Sequence, residues 1–261
     1  MLGGDSKLMS MHNGELMKTR DYKFADKGSQ RDIQVCFNDS RLRSRLERKM
    51  GVRVAAWLSP LKSDGFAEYH DESFMKKVGL GSHLKELQDF WPKRGPVWDG
   101  LAKADDGTIL LFEAKAHISE FFGMGTKARD KSSLEQIVKS LKEAADYIGA
   151  RFDLDSWTDA LYQTANRLAY LYFLNVKLGV KAKLFYLIFL NDRAVATKNE
   201  TKELWQQAIA IAERYILKLP HRKNSSTDGK MGSWRDWVKE VYVDVEEFGI
   251  PKVKTCELGC C

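Results

Sequence analysis

Two extended runs flank one tight turn, and that arrangement limits the fold more than any other stretch. The runs are Gly95-Pro96-Val97-Trp98-Asp99-Gly100-Leu101-Ala102 and Thr108-Ile109-Leu110-Leu111-Phe112-Glu113-Ala114-Lys115, and between them lies Asp105-Asp106-Gly107. Asp-Gly between strand-like segments is a hairpin signal, because glycine accepts the left-handed backbone that a tight turn needs. A three-residue loop with Gly107 in a bulge sets Ala104 opposite Thr108, and the same register sets Asp99 opposite Glu113. Side chains alternate along a strand, so Glu113 and Lys115 share a face with Ile109 and Leu111, while Leu110, Phe112 and Ala114 face a core. The two carboxylates then stand roughly 5 Å apart at Cβ, an arrangement that is destabilising unless something neutralises it. Their position at the end of an apolar strand adds a desolvation cost. A divalent cation resolves both penalties, and magnesium or manganese prefers such oxygen ligands. Lys115 would then orient or deprotonate a water.

Elsewhere the pattern alternates between helix and strand. Ile33–Phe37 reads as a short strand. Asp39–Met50 reads as a basic helix capped by Asp39 or Ser40, with Leu42 and Leu46 one turn apart. Val52–Leu58 reads as a strand ended by Pro60, and Ser82–Trp91 as a helix stopped by Pro92. Ser132 with Glu135 fits a capping box for a helix to about Ile148. Asp155 or Ser156 opens another helix, Trp157–Leu174, with Leu161, Ala165, Leu168 and Tyr172 as its buried stripe. Leu184–Leu190 is continuously apolar, as an internal strand is. Thr201–Lys218 is a helix with Leu204, Ala208, Ile211 and Tyr215 on one face, and Ser233 with Asp236 caps a last helix through Tyr242. The order implies a sheet covered by helices, α/β or α+β. The expected organisation is a flexible arm over 1–30, one domain over 31–245 with its core at about 81–218, and a tail over 246–261.

Several functions are excluded. The chain has 261 residues, and no apolar run approaches a membrane span. Met1–Met17 lacks the apolar core of a signal peptide. There is no Gly-x-Ser-x-Gly elbow, no P-loop and no His-Glu-x-x-His helix. Phe121-Phe122-Gly123-Met124-Gly125 lacks most of a dinucleotide fingerprint. Cys36 stands alone and Cys256, Cys260 and Cys261 crowd the end, which is no disulfide framework. A reducing compartment, the cytoplasm, is expected. The formal charge of +6 permits a polyanionic partner.

The hairpin with its acid, its apolar strand and its Glu113-Ala114-Lys115 triplet resembles the PD-(D/E)xK nuclease superfamily, the restriction endonuclease-like fold. Pro96 looks like the motif proline, although Val97 and Trp98 separate it from Asp99. The resemblance is clear over about 81–115 and extends plausibly to Asp192; it leaves out the first 80 residues and the tail. It implies a central mixed sheet with a catalytic β-hairpin, flanked by helices, and metal-dependent hydrolysis of phosphodiester bonds. Asp99, Glu113 and the Ala114 carbonyl would ligate Mg2+, with Mn2+ as a substitute, and Lys115 would position the nucleophile. A preceding helix would supply a further acid, Glu86 or, more weakly, Asp89. A following helix would supply polar residues, here Gln163, Asn166, Arg167 and Tyr170. DNA is preferred over RNA as substrate. Many relatives pair subunits, although no residue here points to a homodimer. The alternative is a catalytically inactive nuclease-like domain that binds nucleic acid or protein.

Further candidates come from charge and position. His117 continues the face of Glu113 and Lys115 if the strand persists, and His83 lies almost a turn before Glu86. Arg167 has the fork that suits two phosphate oxygens, with an ion pair to Glu86 or another acid as the alternative. Arg41, Arg45, Arg48 and Lys49 on the basic helix, and Lys218, Arg222 and Lys223 around a basic loop, are expected phosphate contacts. For each of these clusters a merely solvated surface is the plain alternative.

Overall fold

The apolar runs become the middle of a five-stranded mixed sheet in a computed structural model, which describes residues 22–123, 125–192, 200–220 and 234–252. The strands are β1 (Val54–Ser59), β2 (Gly100–Ala104), β3 (Ile109–Lys115), β4 (Ala182–Leu190) and β5 (Val238–Asp244), side by side in chain order. β2 runs antiparallel to both β1 and β3; β4 and β5 run parallel to β3. The helices are α1 (Gly28–Asn38), α2 (Ser40–Met50), α3 (Asp71–Lys77), α4 (Leu84–Phe90), α5 (Lys131–Ile148), α6 (Leu154–Thr158), α7 (Tyr162–Tyr172), α8 (Lys202–Ile211) and α9 (Val245–Phe248). This is a mixed sheet flanked by helices. None of the described helices is long and apolar enough to cross a membrane.

The hairpin forms in the expected register. The Ala104 N–H donates to Thr108 O at 2.9 Å, and Gly107 closes the loop with φ 82° and an N–H bond to Ala104 O at 3.0 Å. Gly100 pairs with Phe112, so the next position outward sets Asp99 against Glu113. Both faces of the sheet are covered. Leu110, Phe112 and Ala114 pack with α1, α2 and α9 through Ile33, Phe37, Leu42, Leu46 and Phe248. Ile109 and Leu111 pack on the other side with the helices from α3 to α8, among them Leu141, Ala165, Leu168 and Trp205. A continuously apolar β3 and β4 follow from this double coverage.

Four elements differ from the sequence reading. Ile33–Phe37 is the buried second half of α1, not a strand; a short apolar run broken only by Gln34 suits either, and a helix packed under α2 buries all of it. The segment 238–244 is strand β5 rather than helix: β-branched Val238, Val241 and Val243 pair alongside β4 after one 3-10 turn at Trp234–Trp237. α5 is capped by Asp130, whose carboxylate accepts the Ser133 N–H at 2.8 Å, so Ser132 lies already inside the helix. The long helix expected from Trp157 is two, α6 capped by Asp153 and α7, with the break at Asp159–Leu161. The ends differ too. α1 begins inside the expected arm, and Phe248 and Ile250 of the expected tail are buried in the second core.

Candidate active site

The strand ends carry the candidate residues. β3 delivers Glu113 and Lys115 to the face that α7 covers, and both side chains are buried. Asp99 sits just before β2, half-buried. Its position is fixed by a change of partner in the hairpin ladder. The Trp98 N–H leaves the ladder and donates to Tyr69 O at 3.1 Å. The Ala114 N–H, which the next rung would have used, donates instead to Asp99 Oδ2 at 2.8 Å. A residue's N–H and C=O point to the same side of a strand. The Ala114 carbonyl therefore faces the side of Asp99.

α7 completes the constellation. Gln163 Nε2 donates to Glu113 Oε1 at 2.7 Å, and Lys115 Nζ donates to Glu113 Oε1 at 2.7 Å and to Gln163 Oε1 at 3.1 Å. Arg167 Nε and Nη2 meet Glu113 Oε2 at 2.8 and 2.7 Å. The same guanidinium donates to Val97 O at 2.8 Å and to Asn166 Oδ1 at 2.9 Å, and lies 4.8 Å from the Trp98 ring centroid. Burial alone would raise the Glu113 carboxyl, but Arg167 and then Lys115 outweigh it and hold it below the ordinary range. Asp99 goes the other way. Burial, and then the Glu113 charge beside it, push its carboxyl well up. Two neighbouring carboxylates driven in opposite directions are a recurrent property of acid–base sites.

A cleft of about 1260 Å³ opens over this floor, lined by Asp99, Gln163, Asn166 and Arg167 and by two loops, 92–97 and 125–130. It is also lined by Glu68, which sequence reasoning missed. Glu68 stands next to Tyr69, and the Tyr69–Trp98 bridge brings it beside the Asp99 strand end. Burial, and then the Glu113 charge, raise its carboxyl, while Gln30 donates to it at 3.2 Å. No periodicity marks Glu68, because its neighbours are irregular and its partner strand lies thirty residues on.

The expected further acid, Glu86, is elsewhere. α4 buries Leu87 and Phe90, which turns Glu86 outward, where it pairs with His83 Nδ1 at 3.1 Å and does not line the cleft. Asp89 shares that exposed side. His117 lies past the end of β3, where the chain turns into a 3-10 turn at Ile118–Glu120, and it does not line the cleft. Tyr170 is wholly buried among Phe74, Trp91, Trp98 and Phe173. Arg41, Arg45, Arg48 and Lys49 belong to α2, across the sheet from Glu113, and Arg45 donates to the carbonyls of Glu247 and Phe248. Lys218 donates to Asp153 at 2.9 Å, away from the cleft. Arg222 and Lys223 lie outside the described residues.

The donors available to a cation are the carboxylates of Asp99 and Glu113 and the Ala114 carbonyl, an all-oxygen set that suits magnesium or manganese. Among the described residues no three side chains of His, Cys, Asp or Glu already form a metal cluster. The Glu113 Oε1 atom is reached by the ends of two flexible side chains, Gln163 and Lys115, which can give way to a cation. No protein-family model, curated protein or solved structure matches this chain.

Proposed function

We propose that the chain is a metal-dependent phosphodiesterase of the restriction endonuclease-like kind, acting on nucleic acid and preferentially on DNA. The observation that carries this reading is the convergence of four side chains: Asp99 and Gln163 line one large cleft, and Glu113 and Lys115 are buried behind Gln163 and bonded to it. Asp99, Glu113 and the Ala114 carbonyl would hold Mg2+ or Mn2+. The bound ion would supply Lewis-acid polarisation of the phosphate and a water of lowered pKa. The remaining steps fall to the protein. Lys115, released from Glu113 Oε1, holds its ammonium toward the attacked phosphate and stabilises the charge that develops there. Gln163 orients the Lys115 amine from its far side. Arg167 fixes one oxygen of Glu113, so the other is held at Gln163 and Lys115. Glu68, with its raised carboxyl, stands at the wall where a proton can be passed to or from water.

A second reading is a domain that binds nucleic acid without cutting it. It is favoured by one observation: Glu113 is already neutralised by Arg167 and Lys115. Cleavage of supercoiled plasmid, single-stranded DNA and RNA with Mg2+, Mn2+ or EDTA separates the two. Metal-dependent cutting is expected, reduced about 10²–10³-fold in Glu113→Gln and Lys115→Ala. Glu113→Gln also lowers the melting temperature, because it leaves Arg167 unpaired, so its cutting is compared at a temperature where circular dichroism shows it folded. Full activity in Lys115→Ala would remove the lysine from the mechanism. Binding with no cutting of any form would leave the second reading.

A further inference from the structure

The loop over 92–97 is built more tightly than a surface loop requires. Arg94 has φ 68° and Asp71, at the start of α3, has φ 45°, both in the left-handed region that non-glycine residues rarely enter. The Asp71 carboxylate bridges two successive amides of the loop: Oδ2 accepts from the Arg94 N–H and Oδ1 from the Gly95 N–H, each at 2.8 Å. Beneath Gly95 there is no room for a side chain, since an added Cβ would lie 2.1 Å from Tyr170 Oη. Tyr170 cannot move aside, because it is packed among Phe74, Trp91, Trp98 and Phe173 with no exposed surface. Backbone strain of this kind persists only where surrounding structure over-determines it, and it gathers at ligand clamps.

The clamped loop places Lys93 and Arg94 on the wall of the cleft, and the second loop adds Lys127 and Arg129. All four are exposed, and none has an ion-pair partner among the described residues. Most other cations near the cleft are engaged, Arg167 and Lys115 with Glu113 and Lys77 with Asp64. Four unpaired cations on two loops beside Asp99 present a row of positive charge to a polyanion.

Resting on the nuclease reading above, we propose that the 92–97 loop is a phosphate grip, with Arg94 the residue that contacts a backbone phosphate next to the one cut, and Asp71 the positioning residue that holds Arg94 in place. An Arg fork takes two phosphate oxygens where a flexible surface lysine offers one point charge. A loop held beforehand loses less freedom on binding, so the strain at Arg94 is offset when substrate arrives.

The test is the salt dependence of binding to a fluorescein-labelled duplex of thirty base pairs in EDTA, where cleavage is suppressed. Each neutralised phosphate contributes about 0.9 to the slope of log K against log salt. Arg94→Ala is expected to lower the slope by about 0.9. Asp71→Asn is expected to lower it in the same direction, because an amide cannot accept from both loop N–H groups. The double variant is expected to add nothing, as for two residues acting through one contact. An Asp71 with a purely structural role would move the melting temperature and leave the slope alone, which overturns the positioning role. If Asp71→Asn unfolds, Asp71→Glu replaces it, keeping two acceptors at the wrong reach. An unchanged slope in Arg94→Ala overturns the grip. Failure of the parent protein to bind any nucleic acid at any salt overturns the nuclease reading itself.

Discussion

At the scale of single residues, the ion pair beneath the cleft decides how the site holds its shape. Glu113 is 1% exposed and takes two contacts from Arg167, which is itself buried. Removing one partner of a buried pair leaves an uncompensated charge, whereas removing both is far less damaging. Arg167→Ala is therefore expected to lose about 3–5 kcal/mol in urea unfolding at neutral pH. Glu113→Gln combined with Arg167→Met should recover much of that. The pH dependence follows from the depressed Glu113 carboxyl. Its contribution is present above the ordinary carboxylate range and is lost as pH falls through its lowered folded value. Wild type and Arg167→Ala should thus converge in acid, and a gap that stays constant below pH 4 would sink this account. Asp99, Glu113 and Lys115 were legible because one turn fixes their register. Gln163 and Arg167 were legible as a polar face of a helix. Glu68, Asp71 and Arg94 were not, because their roles depend on a bridge between Tyr69 and Trp98 and on backbone bonds to a carboxylate, and neither leaves a periodic trace.

At the scale of elements, α1 is where local pattern and tertiary packing part company. Its apolar cluster looks like a strand, yet as a helix it lies on β3 and β4 and carries a buried acid with it. Asp32 is 1% exposed, and burial, and then the charge of Asp192, push its carboxyl up to about 7 while Arg31 opposes them. The folded protein keeps this proton at a pH where the unfolded chain, with an ordinary value of about 4, has lost it. Stability from this group is thus full in acid and falls as pH rises from about 4 to about 7, by on the order of 4 kcal/mol. Asp32→Asn should match the parent near pH 4 and melt at a higher temperature at pH 8. An equal shift at both values would show that Asp32 does not titrate this way. The α1 contact with the hairpin is close as well. A Cβ on Gly100 would lie 2.9 Å from Phe37 Cε2 and 3.0 Å from Ile33 Cδ1. Gly100→Ala should cost about 1–3 kcal/mol of stability by overpacking. It should also lower cleavage, since Asp99 is the adjoining residue; unchanged unfolding would mean that α1 shifts freely. α8 shows the reverse failure. The stripe Leu204, Ile211 and Tyr215 is clear in the sequence but stands exposed, while Trp205, Ile209 and Ala212 turn into the core. Both faces of that helix carry apolar residues, so periodicity had no means to choose.

For the whole molecule, the sheet separates two basic surfaces that composition merges into one positive charge. α2 lies over the face of Leu110 and Phe112, and its Arg45 is engaged with the carbonyls at the end of α9. The cleft lies over the other face, where Asp99, Gln163 and the two cation-bearing loops meet, with Glu113 and Lys115 buried behind Gln163. Hairpin register told which side of β3 carries the acids. It gave no information on which helices would cover that side, because α2 and α7 are both amphipathic and either could have packed there. The separation makes the choice of surface measurable without altering any residue. Acetylation of lysines by a small reagent reports the exposure of each amine with and without bound polynucleotide. Lys93 and Lys127 line the cleft, and Lys49 is exposed on α2. Bound duplex should protect Lys93 and Lys127 and leave Lys49 as reactive as before. A phosphate backbone running over the cleft screens the amines that it touches, whereas amines more than a Debye length away, about 10 Å at 0.1 M salt, feel little of it. Protection of Lys49 with Lys93 left open would move the nucleic acid to α2, detach it from Asp99, Glu113 and Lys115, and turn the hairpin acids into a buried structural pair.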